Sequence, residues 1–390
     1  MVALVHSLGC RLNLSESEAM RAMLAGTDNL VVVNSCAVTG EAVRQTRQAI
    51  RRARRANPDA RLLVTGCAAE VERDAIAAMP EVDGLVANAA KLDPRSWNAP
   101  ISQARPQSRH TRAFVQVQNG CDHACTFCVI PQGRGQSRSL SVAQVLREVE
   151  RHVAYGIAEV VLTGVDLTSW GADLPETPRL GMLCEAILAA FPALPRLRLS
   201  SIDGAEVDQA LFDLFAHEPR MMPHLHLSLQ SGDDMILKRM KRRHSRSDAV
   251  RLVERLRAKR PDLALGADLI AGFPTEDEAM HASNVSIIVE LGIVHGHVFP
   301  FSPRPGTPAA RMPSVDTARI KQRAAQLREA VARERSAWLA GHIGKPLSVL
   351  AERDGTGHAE DFAGVVLPLG TRPGTVITVT PQAVVEGMLA

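Results

Sequence analysis

Residues 1–90 alternate short apolar runs with amphipathic segments. VALVH (2–6), LVVVNS (30–35), RLLVTG (61–66) and VDGLVAN (82–88) are near-continuous runs of branched apolar residues closed by polar or glycine positions. That is the pattern of strands buried on both faces. Helical spacing runs near 14–26, 41–56 and 68–79. The βαβαβ order predicts an open parallel α/β sheet.

Residues 91–112 hold three prolines and no sustained periodicity, and read as a linker. A second alternation follows, with strands near 113–118, 159–164, 196–202, 224–229, 263–272 and 294–301 separated by helical segments. Six such units predict a partial TIM-like (β/α)6 barrel rather than the eight-fold one. The proline-rich stretch 300–313 ends it, and a long helix is expected over roughly 314–340. From about 344, KPLSVLAERD, FAGVVLPLG, GTVITVT and AVVEGML are short strands divided by turn residues, a small antiparallel β-barrel. The predicted domains are 1–100, 107–340 and 341–390.

Composition narrows the class. The chain has 390 residues, 46 % hydrophobic and 22 % charged, with a net charge of +3. This is the balance of a globular protein of two or three domains without a global basic field. No apolar run is long enough to span a membrane, and the N-terminus lacks the pattern of a signal peptide. A cytoplasmic protein with reduced thiols is expected. Aromatic content is 3 %, too low for base-stacking platforms. Nothing resembles a P-loop, an HExxH zinc site or a GxGxxG fingerprint after a strand.

The seven cysteines carry the chemistry. An odd count in a reduced compartment points to metal or catalysis, not to a disulfide framework. Cys121, Cys125 and Cys128 crowd into NGCDHACTFCVIPQGRGQSRS (119–139), just after a strand. Thiolates at such short spacing hold iron–sulfur clusters, and three ligands on four irons leave one iron open to a small molecule. A zinc site completed by His123 or by a distant residue is the alternative on spacing alone. Cys10, Cys36 and Cys67 each follow a predicted strand, 26 and 31 residues apart, about one βα unit. All three therefore fall at the carboxyl ends of parallel strands, the edge where open α/β sheets place ligands. Cys184 lies in the apolar run LGMLCEAILAAF and reads as core; His123 reads as a loop residue.

The CxxxCxxC loop at the end of a first barrel strand resembles the radical S-adenosylmethionine (SAM) superfamily. A second cysteine trio narrows the resemblance to the methylthiotransferases. SLGCRLNLSESE (7–18), VVNSCAVTGEA (32–42) and VTGCAAE (64–70) are similar to the three cysteine motifs of that family's N-terminal domain. HLHLSLQSGDDMILKRMKR (224–242) and HVFPFSPRPGTPAARM (297–312) are similar to later segments, and the C-terminal barrel looks like the family's TRAM module, which binds RNA or substrate. The resemblance implies two [4Fe–4S] clusters. Cys121, Cys125 and Cys128 would hold the one that binds SAM and cleaves it to a deoxyadenosyl radical. Cys10, Cys36 and Cys67 would hold an auxiliary cluster carrying the sulfur, which a separate SAM methylates. Phe127 would lie against the adenine of SAM, and Gly164, Asp166, Ser200, Ser201, Gln230, Ile270 and Gly272 at other strand ends would complete its pocket. An electron donor such as a flavodoxin or ferredoxin and a source of sulfur are implied as partners, with no membrane.

Among the branches of that family, CAVTGEAVRQTRQAIRRA, CTFCVIPQGRGQSRS and VVLTGVDLTSWGADL resemble the one that modifies N6-threonylcarbamoyladenosine beside the tRNA anticodon. Arg304 stands where the ribosomal-protein branch usually has an acidic residue. The other readings are N6-isopentenyladenosine in tRNA, an aspartate of a ribosomal protein, and, outside enzymes, an iron–sulfur RNA-binding protein. Two basic runs fit an RNA substrate: Arg44, Arg47 and Arg51 on one helix face, and Lys238, Lys241 and Arg242 in LKRMKRRHSRS. A solvated helix face is the ordinary reason for such runs.

Overall fold

The computed structural model describes residues 3–98 and 111–390. Most of the expected linker, 99–110, lies outside them. Strands β1 (Leu4–Ser7), β2 (Leu30–Ser35), β3 (Arg61–Gly66) and β4 (Gly84–Leu85) form one parallel sheet in that order. β2 is buried along its whole length, as its apolar run requires. Its register sets Ser35 opposite Gly66 and Ser7 opposite Asn34, so the strands end level with one another. β4 is much shorter than the expected 82–88. The Asp83 amide still donates to Leu62 O at 2.9 Å, but its carboxylate accepts from the Leu62 amide at 2.6 Å and from Arg54, and Asn88 turns away to pair its amide with Glu70.

The second domain has seven parallel strands: β5 (Arg112–Gln116), β6 (Glu159–Thr163), β7 (Arg196–Leu199), β8 (Ser201–Ile202), β9 (His224–Gln230), β10 (Ala264–Ala271) and β11 (Ile293–Pro300). β7 and β8 are one stave broken at Ser200, so six staves make the expected partial barrel. Alternation along β9 sends Leu225, Leu227 and Leu229 into the core shared with the surrounding helices. His224 and His226 point the other way, into the barrel. The free edge of β5 is met by the helix Arg11–Met23, whose Ser15 hydroxyl donates to the Phe114 carbonyl at 2.8 Å. The first domain thus lies along the open side of the barrel. The long helix spans Thr317–Ala340 and packs on β10 and β11.

The C-terminal sheet contains β12 (Leu347–Ala351), β13 (Thr356–Ala359), β14 (Gly364–Val366), β15 (Val376–Val379), β16 (Val384–Val385) and β17 (Met388–Leu389), in the order β15-β12-β13-β14-β17-β16. All pairs are antiparallel except β14–β17. This sheet docks on the amino-terminal ends of the barrel staves. Phe362 stacks on His224 with ring centroids 5.1 Å apart, and the guanidiniums of Arg198, Arg112 and Arg11 lie 4.9, 5.0 and 5.4 Å from its ring. Below it Glu159, fully buried, pairs with Arg198 at 2.8 Å and Arg196 at 3.7 Å. Burial alone would raise that carboxyl, but the arginines outweigh it and hold it at about 2.

Candidate cofactor and substrate site

The carboxyl ends of the staves carry the other half of the chemistry. Gly120 opens the cysteine loop at φ +77, and a Cβ there would lie 1.9 Å from the Gln136 carbonyl oxygen, so only glycine fits. Gln118 fixes the loop: its Nε2 donates to Gly120 O at 2.8 Å, while its Oε1 accepts from the amides of Val165 and Asp166 at 3.0 and 2.9 Å. Cys121, Cys125 and Cys128 line one cleft of about 620 Å³. The His123 amide donates to Cys121 Sγ and the Ile130 amide to Cys128 Sγ, each at 3.4 Å, and Arg242 Nη1 approaches Cys125 Sγ at 3.7 Å. Burial pushes the Cys121 thiol up to about 12 and the Cys128 thiol up to about 11, so thiolates here need a cation to form. Three converging sulfurs with N–H donors around them, and no fourth cysteine on the cleft, fit a cluster with one open iron. A zinc site completed by His123 fits less well. Its Nε2 is already held between Asp166 at 2.7 Å and Arg243 Nη2 at 2.8 Å, and hydrogen bonds to Asp166 and Glu206 raise the imidazole.

The first domain brings its own three thiols together. Gly9 precedes Cys10 at φ +91, and a Cβ on it would sit 2.7 Å from Cys36 Sγ. Cys67 opens the helix Cys67–Val71 after Gly66. The Ser35 hydroxyl, from the end of β2, accepts from the Ala68 and Ala69 amides at 3.1 and 3.2 Å and so ties that helix down. Cys36 rises to about 11, first through burial, with Cys10 and Cys67 adding repulsion. Beneath the trio lies a buried network. Arg134 grips Glu16 at 2.9 Å, and Lys91 reaches the same carboxylate at 2.5 Å. The helix Ile130–Arg134, immediately after Cys128, packs on Cys67: a Cβ on Gly133 would be 3.3 Å from Cys67 Cβ, and Asn88 donates to Gly133 O at 2.6 Å. The two trios therefore face one another across the domain seam.

A second cavity, about 630 Å³, adjoins the first and shares Phe127 and Gln230 with it. Its other walls are Val38, Thr39, Asp268, Ile270 and the segment from Phe299 to Ser302. Asp268 accepts from His226 Nε2 and His297 Nδ1, both at 3.1 Å, and these bonds hold its carboxyl low against the opposing effect of burial.

Of the residues assigned by resemblance, Phe127, Asp166, Ser201 and Gln230 line the first cleft and Ile270 the second. Phe127 stands edge-on to Phe273 at 6.4 Å. Gly164 lies beneath, against Gln118; Ser200 is buried at the break in its stave; Gly272, at φ +68, packs on Ile320. Arg44, Arg47 and Arg51 share a separate cleft, and Lys238 and Lys241 are exposed. Arg242 corrects the sequence reading. It does not belong to a basic surface: its side chain is 8 % exposed, bonds Asp203 at 3.0 Å and Ser228 O at 2.8 Å, and lines the cysteine cleft. Lys241 at φ +57 turns the chain after the helix Asp234–Arg239, which swings Arg242 inward. His123, Asp203, Asp268 and the pair Glu16–Arg134 were not legible as site residues, because each acts through partners far along the chain.

Six cysteines in two facing trios, one of them at the mouth of a six-stave parallel barrel, define an iron–sulfur protein of the radical SAM class. Residues 115–283 match the radical SAM superfamily and residues 3–87 match the uncharacterized protein family UPF0004. The chain is 43 % identical to the threonylcarbamoyladenosine tRNA methylthiotransferase MtaB of Rickettsia prowazekii, over 99 % of this chain and 96 % of that one. It is 33 % identical to the protein of the same name from Thermotoga maritima (89 % and 86 % covered). It is 34 % identical to the tRNA-2-methylthio-N(6)-dimethylallyladenosine synthase of Erythrobacter litoralis (90 % and 86 %). The chain belongs to the radical SAM methylthiotransferase family. The superfamily match brings S-adenosylmethionine as the cofactor. The fold is similar to that of the radical SAM methyltransferase TsrM from Kitasatospora setae, with a TM-score of 0.55 at 18 % identity, over 77 % of this chain and 68 % of that one.

Proposed function

We propose that this protein is a tRNA methylthiotransferase that inserts a methylthio group at C2 of N6-threonylcarbamoyladenosine beside the anticodon. The observation that carries the reading is a cysteine trio lining a cleft that adjoins a second cavity, with the other trio behind it across the domain seam, in a chain 43 % identical to a relative named for that reaction. Cys121, Cys125 and Cys128 would hold the SAM-binding cluster, and Cys10, Cys36 and Cys67 the auxiliary one. When bound, these groups supply radical activation of the adenine ring and the methylthio group itself, chemistry that no side-chain acid or base provides.

The protein's share is placement. Arg242 and the backbone amides of His123 and Ile130 aim positive dipoles at the first trio, and Arg134 and Lys91 put a surplus cation beneath the second. Phe127 and Gln230 stand between the SAM cleft and the cavity that would receive the base. Asp268, held by two imidazoles, presents a fixed acceptor to that cavity. The C-terminal domain docks at the opposite end of the barrel, so an RNA-binding role for it would engage the tRNA away from the reacting base. An electron donor such as a flavodoxin or ferredoxin and a source of sulfur are its partners, and the cytoplasm is the compartment. Among the described residues no helix is long and apolar enough to cross a membrane.

The test is mass spectrometry of nucleosides from tRNA of cells with and without the gene. Loss of the 2-methylthio form of threonylcarbamoyladenosine, with its precursor accumulating, is expected. Loss of the isopentenyl derivative instead would move the substrate to the neighbouring branch, and an unchanged set of methylthio nucleosides would remove the tRNA reading.

A further inference from the structure

Arg304 is a cation buried in the seam between the first domain and the barrel, 5 % exposed. Its Nη2 donates to Glu72 Oε1 at 3.0 Å, and Arg47 Nη2 donates to Glu72 Oε2 at 2.7 Å. Two guanidiniums therefore share one carboxylate, which leaves one positive charge in excess. The Nε of each is buried and has no hydrogen-bond partner. A buried N–H of a charged group is expensive to leave unpaired, so one carboxylate leaves this pair of guanidiniums under-satisfied. Both side chains line an open cleft of about 790 Å³. Arg44 and Arg51, on the same cleft, have their own carboxylates in Glu41 and Glu81, so the excess charge centres on Arg47 and Arg304.

The position of this cleft gives it meaning. Thr39 and Ser302 line the cavity beside the SAM cleft, while Gly40 and Arg304 line the basic cleft. Between them the Gly40 amide donates to Ser302 Oγ at 3.0 Å. A Cβ on Gly40 would press on that hydroxyl at 3.0 Å and reach Arg304 Nη1 at 3.8 Å. A nucleoside in the cavity would hold its nearest anionic group within reach of the two guanidiniums, whose planar forks match phosphate and carboxylate oxygens.

We propose that Arg47 and Arg304 form an oxyanion pocket for the substrate, with Glu72 as the counter-ion that occupies them in the free protein. The proposal rests on the tRNA reading above and names what its site recognises. Two groups of such a substrate have the chemistry: a backbone phosphate flanking the target, and the carboxylate of its threonylcarbamoyl substituent.

The experiment uses the full chain with both clusters reconstituted, as wild type, Arg304→Gln and Arg47→Gln. Iron content and absorbance verify that each variant is loaded and folded. Binding is measured over a range of KCl to two anticodon stem-loops, one carrying threonylcarbamoyladenosine and one carrying plain adenosine. If the pocket holds a phosphate, each variant binds both RNAs about tenfold more weakly, and the slope of log K against log salt falls by about 0.7 to 1. If it holds the carboxylate, the loss is confined to the modified RNA. Wild-type affinity and slope for both RNAs in both variants would overturn the proposal while leaving the tRNA reading intact. A wild-type protein that binds and modifies neither RNA would overturn both. Should Arg304→Gln fail to fold, Arg47→Gln carries the same test, because its side chain is 41 % exposed.

Discussion

Arg134 and Glu16 form a bidentate pair, Nη1 to Oε1 at 2.9 Å and Nη2 to Oε2 at 3.1 Å, with each side chain 1 % exposed. One residue follows the SAM-loop cysteines by six positions; the other lies on the helix that Cys10 begins. The bond therefore ties the loop bearing one trio to the helix bearing part of the other. Burial works against the Arg134 charge, but Cys67, Glu16 and Cys10 more than restore it. With Lys91 on the same carboxylate, the network holds two cations against one anion directly beneath the first-domain thiols. A cluster with thiolate ligands is anionic, and this is where its charge would be offset.

Arg134→Gln removes the cross-domain fork and leaves Glu16 with Lys91 alone. Breaking a buried pair of this kind costs on the order of 3 kcal/mol or more. The expected outcome is a lower melting temperature together with loss of the auxiliary iron, while the SAM-loop iron is retained. Thermal denaturation and iron analysis of the reconstituted variant check both. Unchanged melting and full iron would show that the network is only packing.

Replacing Cys10, Cys36 and Cys67 together by alanine separates the two sites chemically. Half of the cluster iron should be lost, and no methylthiolated product should form. Cleavage of SAM after reduction should persist, because Cys121, Cys125 and Cys128 and the cleft they line are untouched. Product formation by the triple variant would refute the assignment of the sulfur-carrying role to the first domain.

Gly120→Ala tests the loop from the backbone. The Cβ would collide with Gln136 O at 1.9 Å, at a φ of +77 that alanine adopts poorly. The loop must move, and with it Cys121, whose amide bonds Gly135 O at 3.1 Å. Loss of the SAM-loop cluster with the auxiliary cluster intact is expected, read by iron content and by absent SAM cleavage. Wild-type cleavage would mean that the loop tolerates the shift.

The contrast between these residues explains what the sequence could tell. The six staves, and the placing of six cysteines at strand ends, were legible because each depends on local signals: an apolar run, a turn, a short cysteine spacing. Cys10, Cys36 and Cys67 are remote in sequence, yet strand periodicity alone places them at one sheet edge, where the structure has them. Arg134, Asp268 and Arg304 were not legible as partners, since Glu16, His226 and Glu72 lie 118, 42 and 232 positions away. Arg242 was misread because a basic run looks the same whether its members face water or a cleft. Only the turn at Lys241 decides between the two.

The docking of the C-terminal domain yields a pH dependence. His224, His295 and His358 surround Phe362, at centroid separations of 5.1, 5.8 and 4.4 Å. Burial is the main cause that depresses all three below the ordinary 6.5, His295 to about 3 and His358 to about 4. They are neutral in the folded protein, whereas the unfolded chain takes up protons from about pH 6.5 downward. The unfolded state therefore binds more protons below that point, and stability is full above it and falls as pH is lowered toward 4. His342, raised by its bond to Asp361 at 2.6 Å, contributes with the opposite sign, stabilising below 6.5 and fading as pH rises. His123 acts with His342, while His6 and His281 are lowered like the three at Phe362, so the lowered imidazoles outnumber the raised ones and the net effect is a loss in acid. The expected result is a melting temperature that drops between about pH 7.5 and pH 5.5, with a shallower drop in His358→Gln, because one of the buried neutral imidazoles is gone. Phe362→Ala should cost about 3 kcal/mol by emptying the space between His224 and the three guanidiniums. It should also expose the segment between the long helix and β12 to protease. A pH profile identical in wild type and His358→Gln would show that the imidazoles are solvated and that the ring does not seal this end of the barrel.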